Sequence, residues 1–208
     1  TRQDMPRQEV VDIAVANFDH ELHEYGVELN PQEKEVGRPK VEAQSRDEVA
    51  SLAGWHLDHV QTTYQPISTE HGFRIDLPNI THDLIGFIDF WGTESEEQIA
   101  LSNTAVPPGE DPIAHAPKIL TDFKTTSKRN NINEANHSNQ LTAYAVAAYS
   151  EFGKFPDRVQ FDVSVRLKSG PVRQVLETQR TKGDVGAFKN RMFATVQSIA
   201  ATVETGIT

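Results

Sequence analysis

Three residues have the types and spacing to act together on a polar substrate: Asp89, Asp122 and Lys124. Asp89 closes the run Gly86-Phe87-Ile88-Asp89, and Asp122-Phe123-Lys124 follows Lys118-Ile119-Leu120. In both places an apolar run of strand character delivers a carboxylate at its end. Side chains alternate along a strand, so Lys124, two residues beyond Asp122, points to the same face. Two acids and an amine would then share one small volume. Burying an unpaired charge is costly, and a cluster of three is tolerated mainly when a metal ion and a polar substrate complete it.

Composition narrows the metal and the setting. The 208 residues suit one domain of ordinary size with a real core, expected to run over 1–208 and to be trimmed at one or both ends. The absence of cysteine excludes disulfides, thiolate zinc sites and an iron-sulfur cluster within this chain. Carboxylate and imidazole remain as ligands, and a hard divalent cation is the natural occupant. No apolar run approaches the about 20 residues of a membrane span, and no secretory pattern opens the chain. A soluble, cytoplasmic domain with no membrane partner is therefore expected. A formal net charge of −10 argues against a sequence-blind nucleic-acid coat, which needs clustered Lys and Arg, but leaves room for a local basic groove.

Several elements must position these residues. Val11, Val15, Phe18, Leu22 and Tyr25, between Pro6 and Gly26, predict a helix over 7–25. His20 and His23 on it read as a solvated polar face rather than metal ligands. Residues 27–45 carry two prolines and no period, and read as an exposed connection. Val49, Leu52, Ala53, His56, Val60 and Tyr64 form a second helical stripe, on which His56 reads as a packed or capping histidine rather than a ligand, with Trp55, His56 and His59 kept as further candidates. Phe73, Ile75 and Leu77 alternate with Arg74 and Asp76 as a half-buried strand, which should pair with 84–91 as a hairpin. The turn-rich stretch 92–117 reads as a solvated insertion, with a short strand at Gln98–Leu101.

Residues 125–131, Thr-Thr-Ser-Lys-Arg-Asn-Asn, are the one locally basic, hydroxyl-rich segment, equally suited to a solvated loop or to phosphate contacts. Asn136 or Ser138 can cap a helix with the stripe Leu141, Ala145, Ala148 and Phe152, stopped by Gly153 and Pro156. Gln140 and Tyr144 lie four apart beside that stripe. A hairpin follows over 158–167 and 172–178, then a helix over 184–204 carrying Val185, Phe188, Met192, Val196, Ile199 and Val203. One mixed α/β sheet flanked by helices fits this order.

Gly86-x-x-Asp89, then Asp122-x-Lys124-Thr125, then a helix with Gln140-x-x-x-Tyr144, resembles the RecB-type branch of the PD-(D/E)XK nuclease superfamily. The resemblance spans residues 67–167. It implies a restriction-endonuclease-like αβββαβ core, Mg²⁺ or Mn²⁺ as cofactor, and hydrolysis of phosphodiester bonds in DNA. It also implies that Gln140 and Tyr144 face the site, to contact DNA or to position the lysine; capping the helix-sheet interface is the alternative. Glu70 stands where such proteins often place another acid, and an exposed strand glutamate is its plainer reading.

The chemistry of the residues suggests roles. Asp89 and Asp122, with a backbone carbonyl such as that of Phe123, would ligate one or two Mg²⁺. Lys124 would orient or deprotonate the attacking water, or steady developing negative charge. Lys128 and Arg129 would hold a few phosphates of one strand, giving weak binding with a shallow salt dependence. RecB-type domains usually add a histidine in a Gly-x-x-x-His setting, absent here and expected upstream, and many carry a cysteine cluster, also absent. A metal-dependent DNA exonuclease of recombination, repair or phage replication, working with a helicase or recombination partner, is the leading expectation. A binding or scaffolding domain that has lost cleavage, or a hydrolase of small phosphate esters, are the alternatives.

Overall fold

Tyr64–Ile75 and Leu84–Glu94 pair antiparallel as β1 and β2, the hairpin predicted from their alternation. The computed structural model describes residues 5–26, 28–101 and 111–205. The chain gathers into two compact units that adjoin in sequence at Thr62 and Thr63.

The first unit is helical. α1 (Arg7–Tyr25) has the predicted bounds, ending at Gly26, whose φ of 70° only glycine adopts easily. The stretch expected to be an exposed connection is mostly helix: α2 (Pro31–Val36) and the start of α3 (Arg38–His59). Asn30 and Glu33 close a reciprocal cap around α2, and Pro31 and Pro39 sit in first turns, where a missing N–H costs nothing. α1 packs on α3, with Arg7 paired to Asp58 and Arg46 to Asp19. His20 and His23 are exposed, and His59 stacks on Trp55.

The second unit is built on a five-stranded sheet in the order β1-β2-β3-β4-β5. β3 (Ile119–Thr126) runs antiparallel to β2 and parallel to β4 (Arg158–Leu167), and β5 (Gly170–Thr178) returns antiparallel. The parallel step needs a crossover, supplied by α7 (Asn139–Phe152). Before it, α6 (Ile132–Asn136) is capped by an Asn131–Glu134 box that sequence reading passed over. Ser138 caps α7, accepting from the Leu141 N–H at 3.1 Å, and Gly153 closes it at φ 71°. α7 is buried all round from Leu141 to Ala148, a wider contact than the predicted stripe, because alanines let it lie close to the sheet. α8 (Lys182–Thr205) buries Phe188 and packs Val185 and Met192, while Ile199 and Val203 of its stripe stay exposed.

The expected short strand at Gln98–Leu101 is instead helix α4 (Glu96–Leu101), with acidic residues in its first turn and Ile99 buried. α5 (Pro112–His115) follows; residues 102–110 of the expected insertion lie outside the described residues. Glu94, expected in that insertion, ends β2 and pairs with Arg158 at 2.7 Å.

Val159, Phe161, Val163 and Val165 of β4 join Leu120, Ile88, Trp91 and α7 in the core. Their neighbours face the other way, where Asp162 accepts from Arg173 and from the Tyr64 hydroxyl at 2.7 Å, and Gln160 donates to Tyr64 and Thr121. A mixed five-stranded sheet with flanking helices results, consistent with the restriction-endonuclease-like α+β fold expected. Among the described residues, no helix is long and apolar enough to cross a membrane.

Candidate functional site

The β2–β3 ladder has three pairs, Gly92–Ile119, Trp91–Leu120 and Phe90–Thr121. The next step in that register would set Asp89 opposite Asp122, and there the strands part. Both strands continue, so the carboxylates mark the end of a ladder and not, as the sequence suggested, the ends of strands. The Asp89 side chain takes the place of a ladder partner: its Oδ2 accepts from the Phe123 N–H at 3.1 Å.

A break in alternation aims Asp89 at α7. Ile88 pairs with His71, which bonds Glu151 of α7, and Trp91 meets the Phe152 ring of α7 edge-on at 4.1 Å. Residues 88 and 91 thus share a face, which strict alternation forbids. The irregularity falls at Asp89, opposite Glu70, whose φ is 49°. Irregular strand positions of this kind re-aim side chains at functional sites.

Asp122 is 1% exposed. Its Oδ1 accepts from Gln140 Nε2 at 2.5 Å and from the Tyr144 hydroxyl at 3.1 Å. Its Oδ2 lies 2.7 Å from the Lys124 ammonium, an ion pair by distance that lacks the alignment of a hydrogen bond. Lys124 is anchored a second time, donating to Gln140 Oε1 at 3.2 Å, and its ammonium stands 5.6 Å from the Phe161 ring centroid. The Tyr144 hydroxyl also lies 3.4 Å from Asp89 Oδ1, so one hydroxyl sits between the two carboxylates. Burial is the main cause that raises the Asp122 carboxyl above the usual range; Lys124 opposes it and the Asp89 charge adds to it. Burial and both carboxylates likewise push the Tyr144 phenol upward, keeping it a neutral donor.

Asp89, Asp122, Lys124, Gln140 and Tyr144 therefore form one connected cluster. Glu70 is exposed, and among the described residues no group of three His, Asp or Glu gathers closely enough to hold a metal. Lys128 and Arg129 are exposed on the segment after β3, which Gln174 holds through both the N–H and the carbonyl of Asn130 at 2.9 Å. Sequence reading missed Phe73, whose ring meets Tyr144 edge-on at 6.4 Å. Phe73 pairs with Gly86, where a Cβ would stand 2.7 Å from the ring. A glycine paired with an aromatic across a hairpin was the available signal.

The donors suit a hard divalent cation. They are oxygens, two are carboxylates held within reach of one hydroxyl, and burial, with the Asp89 charge adding to it, raises Asp122, a cost that bound positive charge relieves. Two protein carboxylates with water filling the other positions is the manner in which Mg²⁺ is usually held.

No protein-family model and no curated protein sequence matches the chain. Among solved structures it is similar to a candidate exonuclease from Eubacterium rectale, at 10% identity and a TM-score of 0.46, over 99% of this chain and 70% of that one. It is also similar to the structure of SSO0001, at 12% identity and a TM-score of 0.37, over 91% of this chain and 74% of that one. Similarity this distant carries no role over to any residue.

Proposed function

We propose that the protein is a metal-dependent deoxyribonuclease of the RecB-type PD-(D/E)XK class that degrades DNA from its ends. The observation that carries this reading is the meeting of Asp89 and Asp122 where β2 leaves β3, with Lys124 ion-paired to Asp122. Asp89 and Asp122 would hold Mg²⁺ or Mn²⁺, which when bound supplies Lewis acidity toward a phosphoryl oxygen and positive charge against the scissile phosphate. Lys124, 42% exposed, presents its ammonium to the opening, where it orients a water or steadies negative charge as it develops. Gln140 bridges Lys124 and Asp122 and fixes their separation. Tyr144 donates to the carboxylates from beneath, and Lys128 and Arg129 supply phosphate contacts beyond the end of β3.

The test is release of nucleotides from end-labelled linear DNA and from covalently closed circles, with and without Mg²⁺ or Mn²⁺. Metal-dependent shortening of the linear substrate with the circles spared is expected. Lys124→Ala should lower turnover of bound DNA by roughly 10²-fold with affinity nearly intact, because it acts on charge present only in the transition state. Internal cuts in closed circles would instead indicate an endonuclease, and no metal-dependent product from either substrate would end the nuclease reading.

A further inference from the structure

Arg180 lies between β5 and α8 and is 7% exposed. A buried cation ordinarily takes a carboxylate partner. Among the described residues no carboxylate pairs with Arg180, and Asp184, whose charge reaches it, is itself bonded to Thr181. Its N–H groups go to neutral oxygens instead. Nη2 donates to the Ala135 carbonyl at 2.7 Å and to the Ser138 carbonyl at 3.3 Å, and Nε donates to the Thr142 hydroxyl at 2.8 Å. Nη1 donates to the Thr178 hydroxyl at 2.9 Å and to the Gln179 carbonyl at 3.1 Å.

These acceptors meet at one corner. Ala135 is in the last turn of α6, Ser138 caps α7, and Thr142 lies one turn along it, its hydroxyl donating back to the Ser138 carbonyl at 2.8 Å. Thr178 ends β5. One guanidinium therefore ties the α6–α7 corner to the end of the last strand. Gln140 stands in that first turn, between Ser138 and Thr142, and uses both ends of its amide on the site: Nε2 donates to Asp122 and Oε1 accepts from Lys124. The first turn of a helix is where its backbone is least satisfied and where it frays. A glutamine reaching from a loose turn cannot hold two groups at a fixed separation. A planar fork of N–H donors can meet acceptors on three elements at once, which a lysine ammonium on its flexible stem cannot.

Resting on the nuclease reading above, we propose that Arg180 is a positioning residue for cleavage, fixing the first turn of α7 so that Gln140 sets the distance between Lys124 and Asp122. Stability alone does not call for a buried charge at this corner, because Ser138 already supplies a neutral cap. What the guanidinium adds is a fixed relation between α7 and the sheet on which Asp122 and Lys124 stand.

Arg180→Lys and Gln140→Ala, singly and together, on end-labelled linear DNA with Mg²⁺, test this. Arg180→Lys should lower kcat by roughly 10- to 10²-fold, the scale of a small misplacement of reacting groups, with KM little changed. In the Gln140→Ala background the same change should cost almost nothing more, whereas independent sites would multiply. The Gln140 side-chain amide, followed by ¹⁵N NMR without DNA, should lose in Arg180→Lys the shifts and exchange protection of a bonded amide. Should that variant fail to fold, Thr142→Val, which withdraws the α7 side-chain acceptor and keeps the guanidinium, takes its place in both measurements. Multiplying losses, an unchanged Gln140 amide, or a lower Tm with kcat intact would each overturn the positioning role and leave Arg180 a structural tie. A parent that cleaves no DNA while Arg180→Lys still frees the Gln140 amide would remove the nuclease reading alone.

Discussion

Asp122 holds a carboxylate where water scarcely reaches, and its ionised form is stable only as far as Lys124, Gln140 and Tyr144 make it so. Because its folded pKa is raised, the protonated form stabilises the protein fully below the ordinary carboxylate value, and that contribution is lost as pH rises through the folded value. At neutral pH without metal the ionised group is therefore a liability. Asp122→Asn keeps the shape and removes the charge, while Lys124 remains solvated and bonded to Gln140. The variant should melt about 2–4 °C above the parent in metal-free buffer at neutral pH, the shift that ~1 kcal/mol gives a chain of this size. The gap should narrow toward acid pH, and Mn²⁺ should raise the parent's Tm but not the variant's. A variant that melts below the parent and still responds to Mn²⁺ would remove Asp122 from the metal site. Asp89, Asp122 and Lys124 were legible because a charge at the end of an apolar run stands out. Gln140 and Tyr144 were pointed to by the resemblance to RecB-type nucleases, their spacing of four giving only a shared helix face. Phe73 was not, since its role depends on the register that sets it against Gly86.

At the scale of elements, the site depends on the short join between β2 and β3. Gly92 occupies one of its three pairs, and a Cβ there would fall inside contact distance of the Gln65 carbonyl oxygen and the Phe90 ring. The Gln65 carbonyl is backbone and cannot swing aside. Gly92→Ala should destabilise the protein by about 1–3 kcal/mol, the usual cost of overpacking, seen as a lower urea midpoint at unchanged slope. An unchanged midpoint would show that the join yields easily. Period-two and helical patterns announced the long elements, with bounds close to those found except at α3, which begins at Arg38, well before the expected stripe, and ends at His59, leaving Val60 outside it and Tyr64 as the first residue of β1. The short helices α2 and α6 announce themselves through caps, Asn30 with Glu33 and Asn131 with Glu134, rather than through apolar periodicity, and reading for period alone passes over them. α4 was taken for a strand because six residues are too few to separate the two periods.

Across the molecule, a formal charge of −10 leaves little general attraction for nucleic acid. Whatever binding the second unit has must be local, at Lys124 beside Asp122 and at Lys128 and Arg129 after β3. The sequence could report Asp89 and Asp122 but not the manner of their meeting, because that depends on a ladder stopping after three pairs.

The same short join governs the order of events in folding. Asp89 arrives on a hairpin whose contacts are local and form within microseconds. Asp122, Lys124, Gln140 and Tyr144 arrive on a parallel crossover, whose closure is long-range and slow. The carboxylates come together only when these two pieces associate, so their repulsion is met after most of the sheet has formed. Ligand affinity gained that late belongs to the unfolding rate. In stopped-flow experiments Mn²⁺ should slow unfolding in proportion to the stability it adds and leave the refolding rate unchanged; faster refolding would mean that the carboxylate pair already exists in the transition state.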